Sequence, residues 1–291
     1  MSNQPEQPEE NDENTVLNWE LRLWSPAAMT TEDGKLTLDD LGYTGEPPEE
    51  FMVSDVTVEL VQHAGDDTSA VHAARVSTQG DRVQAGFERW GRVTEDNERN
   101  AGLINFLMRE HHGSPFEHNS MTFFIQAPIF VFREFHRHRA GWSYNEESGR
   151  YKILDKKFYA PDGGRPLVQV GKPGAYEYVA GTEHQHRVVW HELNVAYAQA
   201  WESYQAMLAA GIAREVARLS LPVGVLSSMY ATCNARSLMH FLSLRTKDER
   251  AKVKSGPQWE IELVARKMEA EWAGLMPYTH KAFNDNGRVA P

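Results

Sequence analysis

One stretch limits the fold more than any other. Six residues, Ala127 to Phe132, form an apolar, aromatic-rich stretch and lead straight into Arg133-Glu134-Phe135-His136-Arg137-His138-Arg139. Such a segment must bury its aromatic side and still give its charges partners or a task. Pro128 suits the first turn of a helix and Gly141 would end it, so the pattern predicts a helix running to about Arg139. Arg133 and Arg137 then share a face. Ser143-Tyr144-Asn145-Glu146-Glu147-Ser148-Gly149-Arg150 follows. Two readings compete. Cations at a helix C-terminus offset the macrodipole by about 0.3–1 kcal/mol each, and Ser143 with Glu146 has capping-box spacing. Alternatively, the four arginines between 133 and 150 grip phosphates through paired, charge-assisted hydrogen bonds.

Charge narrows the choice. The net charge is -11, and residues 1–50 account for all of it, with 13 acids against Arg22 and Lys35. The rest of the chain is neutral, which argues against broad nucleic-acid coating and leaves room for one local anion site. Hydrophobic residues make up 41%, with 8 Trp, 12 Phe and 10 Tyr, enough for a sizeable core. A six-residue apolar run is far short of the roughly 20 that a membrane span needs. The N-terminus lacks the basic and apolar regions of a signal peptide. Cys233 is the single cysteine, which excludes an internal disulfide framework and a cysteine-rich metal cluster. A cytoplasmic protein is expected, with residues 1–50 as a partly disordered acidic extension and 51–291 as one domain.

Along that domain, Ser54 to Val61 reads as a strand and Asp67 to Val76 as a helix that Asp67 caps. Asn100 to Glu110 reads as a helix, 111–118 as a compact turn and Met121 to Gln126 as a strand. Residues 161–174 read as a loop, and Glu177 to Ala210 as a long helix stopped by Gly211. Arg214 to Leu219, Leu226 to Leu242 and Gln258 to Met276 read as further helices. Helices outnumber strands without regular alternation, which favours an α+β fold.

Arg137-His138-Arg139, eight residues and then Ser148 resembles the signature of the flavin-dependent thymidylate synthases, with Asn145, Glu146, Gly149 and Arg150 also matching. Four more blocks occur in the family's order. They are Ser69 to Ser77, His112 to His118, Arg214 to Pro222 and Asn234 to Arg245. The resemblance covers about residues 51 to 275. It implies a central antiparallel sheet flanked by helices, and homotetramers with active sites where subunits meet. It implies methylation of dUMP to dTMP, with methylenetetrahydrofolate giving the one-carbon unit and NADPH reducing FAD, the hydride source.

By the same resemblance, His112, Ser114, Arg137, His138, Arg139, Glu146, Asn234, Ala235, Arg236 and His240 would contact FAD. The nucleotide would meet Glu134, Phe135, His136, Arg137, Glu146, Glu147, Ser148, Gly149, Arg150, Arg218 and Arg245. Arg245 would be catalytic, a fixed cation beside the pyrimidine ring. Two positions depart from the pattern. Glu134 stands where other members often have Gln, and a carboxylate there would repel a phosphate. His240 stands where many have Asn, though histidine still donates a hydrogen bond. Thr246 to Pro257 is long for the family and is expected to be a mobile loop.

Rival chemistries are weaker. Cys233 as a nucleophile would need a lowered pKa, and its apolar surroundings favour a buried structural thiol. Ser148 has no evident base to activate it. His184 and His186, two apart on a helix, point away from each other, and the adjacent His111 and His112 diverge similarly, so no metal is expected. The alternative to the enzyme is a non-catalytic FAD- or nucleotide-binding module of the same fold.

Overall fold

The computed structural model describes residues 51–79 and 97–291. The expectations for the acidic extension lie outside the described residues. In chain order the elements are β1 (Met52–Val53), β2 (Thr57–Ala64), α1 (Asp67–Gln79), α2 (Asn97–Arg109), a 3-10 turn (Ser114–Glu117), β3 (Ser120–Pro128) and α3 (Ile129–Phe135). Next come β4 (Trp142–Glu146), β5 (Phe158–Tyr159), β6 (Val168–Lys172), β7 (Ala175–Val179) and α4 (Glu183–Ala209). Then follow α5 (Arg214–Ala217), a 3-10 turn (Arg218–Ser220), β8 (Leu226–Cys233), α6 (Ala235–Arg245), α7 (Trp259–Leu275) and α8 (Pro277–Asp285). The fold is α+β, as expected.

The central sheet is antiparallel, in the order β2-β3-β8-β4. Its period of two is visible in β3, where Met121, Phe123, Ile125 and Ala127 are buried and the residues between them are half-exposed. β8 repeats this with Met229, Ala231 and Cys233. These faces pack with α6 and α7 into the main core, where Phe135 of α3 stacks on Phe241 of α6 at 4.9 Å between ring centres. On the other face Thr122 and Thr232 share a hydrogen bond of 2.9 Å.

Several elements differ from the sequence reading. β2 begins three residues late. Asp66, not Asp67, turns the chain into α1, accepting from the Thr68 N–H at 2.8 Å. Asp67 instead accepts from the backbone of Tyr278 and Thr279, both at 2.8 Å, and so caps α8 from a distance. α3 stops at Phe135, not Arg139, so Arg133 and Arg137 do not share a helical face. Ser143 and Glu146 lie on strand β4 and make no capping box. Part of the expected loop at 161–174, together with the start of the expected long helix, forms the β6–β7 hairpin. α4 starts after Thr182, which makes a capping box with Gln185, and Gly211 ends it at φ +76°. Residues 226–233 are a strand and not the start of a helix. The segment 246–257 has neither helix nor strand, yet it is tied down, since the Lys252 N–H reaches the Gly287 carbonyl at 2.9 Å and Lys247 N–H reaches Glu262 at 2.8 Å.

Candidate active site

The early end of α3 builds the site. Tyr144 of β4 donates its hydroxyl to the carbonyls of Phe135 at 3.0 Å and His138 at 2.9 Å. This satisfies backbone acceptors that a longer helix would have used and fixes Arg137-His138-Arg139 on a turn. Gly141, at φ +70°, carries the chain from that turn into β4. A side chain there would collide with Ser237, whose hydroxyl binds the Ala140 carbonyl at 2.9 Å. Across the turn, α6 starts at Asn234, whose side chain accepts from the Ser237 N–H at 2.9 Å.

Between turn and helix lies a cavity of about 700 Å³ lined by Arg137, His138, Arg139, Trp142, His240 and Arg245, among others. Arg245 is anchored twice. One guanidinium nitrogen meets Glu134 Oε2 at 2.7 Å, and its Nε donates to His138 Nε2 at 3.1 Å. His138 must therefore be neutral at that nitrogen. Its burial, with Arg245 and His240 nearby, lowers its pKa to about 4. Arg137 and Arg139 are exposed and hold no ion pair among the described residues, so the cavity is cationic.

A neighbouring cavity of about 500 Å³ shares Ser237 and His240 and adds Asn234, Arg236 and Glu117. Arg236 is braced by Glu117 at 2.5 Å and by the Pro291 carbonyl at 2.6 Å. Gly113 lets its guanidinium approach, since a Cβ there would lie 2.5 Å from its central carbon.

The other expected residues form a separate group. Arg150 pairs with Glu215 at 2.9 Å, and its N–H meets the Ser148 hydroxyl at 3.3 Å. Gly149 is buried beside Leu154 and Arg218, and a Cβ at this position would lie 3.3 Å from the Arg218 Cδ. Glu147 pairs with Lys152 at 2.6 Å, and Glu146 accepts from the Ser227 hydroxyl at 3.0 Å. None of these residues lines either cavity.

Some expected contacts are differently placed. Phe135 is fully buried in the core, so its ring cannot reach a ligand, and Ala235 is fully buried with its N–H bound to Asn119 at 2.8 Å. His136 is exposed and caps α3. His112 stacks on Phe106 at 5.9 Å, and Ser114 opens the 3-10 turn; both are exposed and off the two cavities. The sequence reading missed Trp142, Ser237 and Tyr144. The Ser237 hydroxyl belongs to the block Asn234 to Arg245, but its bond to Ala140 spans 97 residues and leaves no local signal. Cys233 is buried at the end of β8, and burial pushes its thiol pKa up, so it is no nucleophile. No group of three metal-binding side chains occurs among the described residues. Nor does any described helix have the length and apolarity to cross a membrane.

Residues 59–278 match the family model described as thymidylate synthase complementing protein. The flavin-dependent thymidylate synthase of Streptomyces coelicolor is 63% identical over 246 residues, 84% of this chain and 98% of that protein. The one from Tropheryma whipplei strain TW08/27 is 55% identical over 241 residues, 82% of this chain and 97% of its own. Among solved structures, the UMP/dUMP methylase PolB from Streptomyces cacaoi bound with 5-Br dUMP superposes with a TM-score of 0.76 at 53% identity, covering 82% of this chain and 99% of that one.

Proposed function

This chain belongs to the flavin-dependent thymidylate synthase family, and on that premise we propose that it methylates dUMP to dTMP, with methylenetetrahydrofolate as one-carbon donor and NADPH-reduced FAD as hydride source. The observation that carries the reading is the cationic cavity in which Arg137, Arg139 and Arg245 converge on one concave wall. FAD suits this wall. Its pyrophosphate is an anion, the two unpaired arginines offer fork-shaped donors, and the N-terminus of α6 adds the positive end of its helix dipole. The glycines at 113 and 141 let the Arg236 guanidinium and the Ser237 hydroxyl pack against the backbone at the edge of this wall. Bound FAD supplies the hydride chemistry, and the protein binds and orients three planar ligands.

In this reading Arg245 is the catalytic cation. Glu134 and His138 hold its guanidinium from two sides, so it meets negative charge developing on the pyrimidine without reorganising. The ion pair also answers the concern raised by Glu134, because its charge is spent on Arg245 and not presented to a phosphate. Arg137, Arg139, Arg236, Asn234 and His240 hold FAD; Ser148, Gly149, Arg150 and Arg218 hold the dUMP phosphate. The second group lines neither of the cavities formed by the first, which supports active sites shared between subunits of a homotetramer. The helix α4 supports it too: of its 27 residues only Tyr197 and Tyr204 are buried. The free thiol of Cys233 suits a reducing, cytoplasmic setting.

The test is tritium release from 5-tritiated dUMP with methylenetetrahydrofolate, NADPH and FAD, each omitted in turn. Release that requires folate and reduced flavin, with dTMP formed, is the expected result. A folded, FAD-loaded protein that releases none would be a flavin-binding module and not an enzyme.

A further inference from the structure

Away from the two arginine-lined cavities, and sharing no residue with them, a cleft of about 660 Å³ opens between the β6–β7 hairpin and α4. Its walls are apolar and aromatic: Phe130, Tyr159, Tyr178, Val188, Leu193 and Tyr197. At its base sits Glu260, from the first turn of α7, only 3% exposed. One carboxylate oxygen is fully engaged, since Oε1 accepts from Arg165 Nε at 3.0 Å and from the Tyr159 hydroxyl at 3.2 Å. The other, Oε2, is buried and has no hydrogen-bond partner. A buried carboxylate oxygen without a donor is costly and calls for an explanation.

We propose that this cleft is a second ligand site, taking a small organic cation: an ammonium or amidinium group joined to a flat apolar body. The charge balance favours a cation, because Glu260 and Glu192 line the cleft against Arg165 alone, and Arg165 is already committed to Glu260 and to the Pro166 carbonyl. Such a group supplies the N–H donors that Oε2 lacks once the Glu260 side chain turns toward the cleft, since Oε2 has no exposed surface in its present position. The tyrosine rings of the walls suit both a flat body and a positive charge. A metal ion is the poorer occupant, since the described residues gather no third ligand there.

The test uses the FAD-loaded full chain, with tyramine and benzamidine as probes and 4-ethylphenol and benzamide as uncharged counterparts, followed by calorimetry and by ligand-observed NMR. Saturable binding of the cations, at least tenfold weaker binding of the neutral compounds, and a loss of about tenfold or more in Glu260→Gln are expected. Tyr178→Ala, on the exposed hairpin, is expected to weaken the same probes several-fold, and it keeps the test decisive if Glu260→Gln does not fold. Turnover of dUMP should be unchanged in both folded variants. No saturable binding, equal binding of neutral and cationic probes, or unchanged affinity in the variants would overturn the proposal and leave a water-filled cleft or one covered by a second copy of the chain.

Discussion

His138 shows how a single side chain can be read in two ways. By residue type it is a cation beside arginines, one more hand for a phosphate. In place it is buried, neutral and the acceptor of an Arg245 hydrogen bond, so it works by holding Arg245. Burial first, then Arg245 and His240, keep its pKa at about 4, below the usual value of 6.5. The unfolded chain therefore takes up this proton before the folded one does, and stability falls as pH drops from about 6.5 to about 4. Imidazole ¹⁵N shifts should titrate with a midpoint near 4, and His138→Asn should flatten that part of the stability profile; a midpoint near 6.5 would refute the assignment. Arg245→Ala should raise the His138 midpoint and lower turnover by about 100-fold or more while the fold remains. Cys233→Ala should leave most activity, because the thiol is inside the core with its pKa raised by burial. Loss of turnover in a folded Cys233→Ala protein would mean that the cysteine takes part in methyl transfer.

At the scale of elements, what can be read from the sequence depends on where each element's partners lie. α1, α2, α7 and β3 carry their own periodic apolar faces and are legible. Gly211 is legible as a stop because a positive φ is a local demand. The sequence pattern carries α3 four residues too far because its end is set by the Tyr144 hydroxyl, nine residues on from Phe135, and by no residue within the helix. β8 reads Leu-Ser-Ser-Met-Tyr-Ala-Thr-Cys, with small residues on a strand packed between two others, and its alternation is too weak to separate from a helix. The site residues are legible as a group through the resemblance, whereas the division into two clusters is not. α7 and α8 are joined by a buried network that the sequence does not announce. Glu269 receives both guanidinium nitrogens of Arg288, at 2.6 and 2.9 Å, and His280 at 3.0 Å. Burial alone would raise the Glu269 pKa, but the bonds from His280 and Arg288 and the Arg288 charge bring it down to about 2. Its contribution is thus full above about 4.5 and is lost as pH falls toward 2. Glu269→Gln should cost about 3 kcal/mol at neutral pH by leaving Arg288 under-compensated. In thermal melts the gap from the unmodified protein should narrow below pH 4.5; a gap that stays constant with pH would show that the pair is not the source.

At the scale of the whole molecule, the two clusters decide what the functional unit is. Arg245 faces the cavity beside α6, and Arg150 lies on the surface beside α5, paired with Glu215. If each active site takes its flavin wall from one subunit and its phosphate grip from another, the clusters act in trans. Arg150→Ala should then raise the dUMP concentration needed for half-maximal rate far more than the FAD requirement, because a lost phosphate contact weakens the nucleotide alone. If FAD binding falls first, the phosphate assignment is wrong. Subunit mixing is the sharper experiment. Arg245→Ala and Arg150→Ala proteins, each nearly inactive at limiting dUMP, are mixed, unfolded and refolded together. Where the two residues belong to different subunits of one site, about a quarter of the sites in random mixed oligomers receive both intact residues, and that share of activity returns. Where each chain builds its own site, every site keeps one defect and no activity returns.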